Sequence, residues 1–144
     1  MKKLFFFLIA FLGITVFGQK AETKTGTPTI TDYTFLKSKM KMDDVVTKAD
    51  KAPEFPGGME AFHRKFADNM DIIDVKTNKI NTRVYFIVEK NGYVRYVTAT
   101  GDDKKHSEAA ETAIRRMFVK WKPATVNNEP VRYLYTFPLS LKKY

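Results

Sequence analysis

His63 and His106 are the only histidines in this chain, and it contains no cysteine. The densest cluster of metal-ligand types is Asp102, Asp103 and His106, which share one polar turn. No further His or Cys completes a set, so a solvated loop that caps the next helix is the better reading. Pro56-Gly57-Gly58 precedes a helical pattern, and the free N–H groups of a helix start can hold an anion. The Lys-Ser/Thr that ends a phosphate-cradling loop does not follow, so no nucleotide site is expected. Ser107 and Ser140 have no histidine spaced to activate them. Tyr93, Tyr96, Tyr133, Tyr135 and Phe137 are of the kind that stack nucleic-acid bases, but packing of a sheet accounts for them more simply. The expectation is therefore no enzyme, no cofactor and no metal. The lack of cysteine also excludes disulfides, thiolate nucleophiles and a lipid anchor on a cleavage-site cysteine.

The elements that carry these residues read most clearly in the last sixty or so positions. Thr82–Lys90 and Tyr93–Thr100 are rich in Val, Tyr, Ile and Phe and are separated by Asn91-Gly92, which predicts a hairpin with a type I′ turn. After a polar stretch, Ser107–Val119 has helical spacing, with Ser107 as N-cap, Glu108 and Glu111 in the first turn, and Ala110, Ala113, Ile114 and Met117 as the buried stripe. Trp121-Lys122-Pro123 ends that helix, Asn127–Pro130 makes a turn, and Val131–Leu141 is the last strand. Upstream, Pro53–Gly58 is a rigid turn. It leads into a helix from Met59 to Asn69, with Met59, Phe62, Phe66 and Met70 on one face. Residues 70–81 read as a connection. Thr29–Phe35 reads as either a short edge strand or an irregular segment, and within Lys37–Lys51 only Val45-Val46 is β-like. Val84, Phe86 and Val88, with Val131, Tyr133, Tyr135, Phe137 and Leu139, are assigned to the helix-covered face. The resulting fold class is α+β: a small three-stranded antiparallel sheet, β-β-α-β in the order 2-1-3, with a preceding helix and the helices on one face.

The N-terminal segment is set apart from this unit. Lys2-Lys3, the apolar run Leu4–Phe17 and the Val16-x-Gly18 pattern before Gln19 match a secretory signal peptide. The run is shorter than the roughly 20 residues of a spanning helix. The expected organisation is a signal peptide over 1–18, a linker or partly ordered segment over 19–42, and a domain over 43–144. The 144-residue chain carries +9, and loss of Lys2 and Lys3 leaves 23 basic against 16 acidic residues, or +7. The basic residues are scattered, so a solvated surface is expected rather than a nucleic-acid partner.

Glu54–Phe62, Val84–Gly92, Ala113–Arg116, Trp121–Ala124 and Pro130–Tyr133 occur in an order that resembles the C-terminal domain of TonB. The likeness is greatest to the Bacteroidetes-type variant, in which a PEFPGG element precedes the first helix. It covers roughly residues 43–141. The resemblance implies a periplasmic domain, in transmembrane transport, that grips an extended peptide of an outer-membrane TonB-dependent transporter or another periplasmic protein. The chain departs from full-length TonB in having no retained anchor after signal cleavage, no long Pro/Lys-rich linker and no Tyr-Pro before the hairpin. One alternative keeps residues 4–17 as the anchor of an energy transducer; another is a secreted ligand-binding protein or enzyme.

A strand order of 2-1-3 leaves the outer edge of the last strand unpaired. Partner contact by strand addition is therefore expected at Val131, Arg132, Tyr133, Leu134, Tyr135, Thr136 and Phe137, the strand to which the resemblance also points. Pro130 and Pro138 are expected to bracket this window. Cover of the edge by residues 29–35 of the same chain is the competing arrangement, and a homodimer, with no surface assigned, is also open.

Overall fold

The computed structural model describes residues 32–75 and 79–142. The signal segment, and the linker as far as residue 31, lie outside the described residues. Among the described residues, three helices, α1 (Tyr33–Lys39), α2 (Gly58–Asn69) and α3 (Lys104–Arg116), accompany six strands. The strands are β1 (Val45–Val46), β2 (Lys79–Val88), β3 (Val94–Gly101), β4 (Thr125–Val126), β5 (Glu129–Pro130) and β6 (Arg132–Lys142). The α+β class is what the structure has. Its main sheet, however, is four-stranded and mixed, in the order β1-β6-β2-β3, and β4 and β5 form a separate two-stranded ribbon. The expected three-stranded antiparallel sheet is corrected accordingly. β2 lies between β3 and β6 and is antiparallel to both, while β1 adds to the outer side of β6 in parallel.

The helices do not share one face. α2 and α3 cover one side, where Phe55, Phe62, Phe66, Val84, Phe86, Val88, Ala110, Ile114, Trp121 and Phe137 form the main core. Trp121 is 3% exposed. Its ring lies 5.2–5.6 Å from those of Phe55, Phe62, Phe86 and Tyr135. The other side of the sheet is covered by α1, whose Leu36, together with Met40, packs on Tyr85, Ile87 and Leu134. β2 is thus buried on both faces over its second half, and its unbroken run Val84–Val88 has that pattern. The packed unit takes in residues from Asp32 onward, upstream of the expected start at 43. Asp32 itself accepts hydrogen bonds from Tyr85 Oη at 2.8 Å and Thr100 Oγ1 at 3.2 Å.

Local chemistry explains several further departures. The β2–β3 hairpin forms, but only Gly92 has positive φ, at +85°, and its N–H donates to Glu89 O at 2.8 Å. This is a three-residue loop closed by a left-handed glycine rather than a type I′ turn. Gly92 is required for a second reason: a Cβ there would lie 2.0 Å from Trp121 O. The pair with positive φ at both turn positions is Asn127-Asn128, at +50° and +63°, which joins β4 to β5. α3 starts one turn earlier than expected because Asp103, not Ser107, is its N-cap and accepts from His106 N at 2.8 Å. In β3 the register with β2 shifts between Tyr85 and Ile87, and Tyr96 adopts φ +56°. This bulge puts Val94 and Val97, three residues apart, on the same core, while Tyr96 turns to the α1 side.

Candidate functional site

The sheet is bounded by β3 on one side and, on the other, by β1 and the part of β6 that β1 leaves uncovered, and these edges are treated differently. On β3, Glu111 and Arg115 of α3 reach over the rim. Glu111 Oε1 accepts from Ala99 N at 2.8 Å, and Arg115 Nη2 donates to Val97 O at 2.7 Å. The two side chains are themselves paired at 2.9 Å. Two backbone groups that would otherwise invite another strand, the Ala99 N–H and the Val97 carbonyl, are occupied by side chains.

On β6, strand β1 covers only the first residues, with Val45 opposite Arg132 and Val46 opposite Tyr133. Beyond that point Pro138 fixes the direction in which the remaining backbone groups face. The register of β6 with β2 is continuous from Tyr133 to Lys142 and places Pro138 opposite Arg83. Proline has no N–H to give, so within a paired strand it occupies a position that faces away from the partner. Alternate residues of a strand face the same way. The groups of Leu134, Thr136 and Ser140 and the carbonyl of Pro138 therefore point outward, and those of Tyr133, Tyr135, Phe137 and Leu139 point to β2. Pro138 lies inside the strand and does not end it, which corrects the expected bracketing by Pro130 and Pro138.

The seven residues expected to contact a partner separate into distinct roles. Val131 precedes β6, and its N–H is bonded to Ala124 O at 2.9 Å. Arg132 is committed internally. Its Nε and Nη2 bind the two oxygens of Glu89 at 2.8 and 3.1 Å, Nη2 also reaches Lys41 O at 3.0 Å, and Nη1 donates to Asp43 O. The hydrogen bonds to Glu89 hold the guanidinium pKa above its ordinary value, and the pair pins the segment that enters β1. Tyr133 sits opposite Val46. Leu134 is buried under α1, and Phe137 is buried against Phe62 and Phe66, at 4.9 and 5.0 Å. Tyr135 is half-buried, stacks on Phe86 at 5.0 Å and donates from Oη to Met59 Sδ at 3.2 Å; burial raises its hydroxyl pKa. Thr136 is the one exposed residue of the seven. What this edge offers a partner is thus chiefly backbone.

The polar turn with Asp102, Asp103 and His106 is structural. Asp103 caps α3, and His106 is buried with Nδ1 2.7 Å from Thr82 Oγ1. Among the described residues no group of three His, Cys, Asp or Glu side chains is placed to hold a metal, and no helix is long and apolar enough to cross a membrane. Sequence reasoning missed the Glu111–Arg115 bridge. Its i, i+4 spacing of opposite charges was visible, but its backbone targets on β3 were not. No family model matches this chain, and no curated protein or solved structure matches it either.

Proposed function

We propose that this domain binds an extended segment of another protein by adding it as a strand to the outer edge of β6. The binding resembles that of a TonB C-terminal domain receiving the peptide of an outer-membrane transporter, in the periplasm and in the service of transmembrane transport. One observation carries the reading. On β3 the Ala99 N–H and the Val97 carbonyl are taken by Glu111 and Arg115, whereas β6 beyond Tyr133, past the cover of β1, keeps outward backbone groups at Thr136, Pro138 and Ser140. Strand addition takes its affinity from such groups and its selectivity from the side chains flanking them. Here the flanks are Tyr135 and Met59 on one side and the exposed Thr136 on the other.

The test compares two proline substitutions against extended peptides from the N-termini of outer-membrane transporters, and in capture from outer-membrane extract. Thr136→Pro removes an outward N–H, leaves the β2–β6 ladder intact, and is expected to weaken peptide binding by about tenfold or more at unchanged melting temperature. Tyr135→Pro removes an N–H that faces β2 and is expected to destabilise the fold by roughly 1–3 kcal/mol. A folded Thr136→Pro protein that binds as the parent does would remove β6 as the site.

A further inference from the structure

We propose that the Glu111–Arg115 pair is a plug that stands in for a neighbouring strand on β3, and that the edge beneath it is a latent pairing surface for a second copy of this chain. The inference is independent of whether β6 takes a transporter peptide. Val97 and Ala99 face the same way along β3, so the Val97 carbonyl and the Ala99 N–H lie together on the outer rim, one on each side of Thr98. Glu111 presents an acceptor to the Ala99 N–H and Arg115 a donor to the Val97 carbonyl, at 2.8 and 2.7 Å. An adjacent antiparallel strand would present the same two groups through the C=O of one residue and the N–H of the residue two positions along. The i, i+4 spacing brings both side chains to one face of α3, and Thr98 Oγ1 also reaches the carboxylate, at 3.5 Å. From the opposite face α1 contributes Phe35 and Lys39, so the rim lies in a cleft of about 320 Å³ between the two helices.

The occupant follows from the symmetry of the two groups. An antiparallel copy related by a twofold axis through Thr98 places each Ala99 N–H against the other copy's Val97 carbonyl. The edge is then self-complementary, as an isologous contact requires. The two backbone groups that the plug occupies are among those that such a dimer needs. Unplugged, they form an open edge of the kind that promotes chain-to-chain pairing.

The deciding variant exchanges the charges, Glu111→Arg with Arg115→Glu, in the full chain. It keeps an i, i+4 ion pair and the net charge, but puts a donor where Ala99 needs an acceptor and an acceptor where Val97 needs a donor. Its mass in sedimentation is expected to double as concentration rises. The conservative variant Glu111→Gln with Arg115→Lys keeps an acceptor and a donor in place and is expected to behave as the parent does. Exchange of the Ala99 amide supplies a readout on the parent alone. It is expected to be slow despite its edge position, and about tenfold or more faster in Glu111→Ala at low concentration. A folded charge-exchanged protein whose mass stays constant over the concentration range overturns the proposal. If that variant does not fold, an Ala99 amide in the parent that exchanges as fast as a free edge amide overturns it equally.

Discussion

At the scale of single residues, the side chains with most chemical promise are used to hold the fold. His106 sits 4% exposed beside Thr82, and burial lowers its pKa below the ordinary 6.5, with Asp103 opposing the shift. In the folded protein the imidazole is therefore harder to protonate than in the unfolded chain. The stability this contributes is complete above pH 6.5 and is lost as pH falls from there toward the folded-state value. Chemical denaturation of the parent and of His106→Asn, which keeps a hydrogen-bonding group beside Thr82, should show a steeper acid loss in the parent. Parallel loss in both proteins would mean that burial of His106 is not responsible. Trp121 poses a simpler question. It fills the gap between the PEFPGG turn, α2 and the sheet, in edge contact with Phe55 at 5.2 Å and Phe62 at 5.4 Å. Trp121→Ala should lower stability by about 3–5 kcal/mol, measurable as a fall in melting temperature. An unchanged melt would show that the aromatic cluster closes over the gap.

At the scale of elements, what was legible in the sequence is what local periodicity controls. The β2–β3 hairpin, the buried stripe of α3 at Ala110, Ala113, Ile114 and Met117, and the burial of Phe62 and Phe66 on α2 all repeat at the spacing their elements demand. Long-range pairing was not legible. α1 reads as ambiguous because Tyr33–Lys39 carries a single buried residue, Leu36, and its helical state is decided by the apolar face of Tyr85, Ile87 and Leu134 beneath it. β1 is only two residues long and is held in place by the bonds of Arg132 to Glu89 and to the carbonyls of Lys41 and Asp43, partners distant in sequence. The bulge at Tyr96 breaks the alternation that period-two reasoning assumes. The candidate site divides in the same way. The edge strand could be named from the sequence, whereas the direction of its free groups depends on Pro138 standing in register with Arg83. Arg132 reads from the sequence as a partner contact because nothing local shows that Glu89 engages it.

At the scale of the molecule, one sheet carries a core on each face, and the two cores differ in how independent they are. The core under α2 and α3 is closed by the chain from residue 53 onward and includes thirteen buried residues. The core under α1 has five, of which Leu36 and Met40 come from the N-terminal segment and Tyr85, Ile87 and Leu134 from the sheet. A chain shortened to begin at residue 43 matches the expected domain but strips the second core of its cover. Truncation of one buried Leu or Met typically costs about 2–5 kcal/mol, against a total stability of about 5–15 kcal/mol for a domain. Loss of both, with the Asp32 hydrogen bonds to Tyr85 and Thr100, should leave the shortened chain barely folded. The apolar face so exposed lies next to the open β6 edge, and such a patch promotes association. The expected result is a melting temperature far below that of a chain beginning at Asp32, with increased binding of a hydrophobic dye. Equal melting temperatures for the two chains would show that α1 is dispensable, and would restore residue 43 as the start of the folding unit.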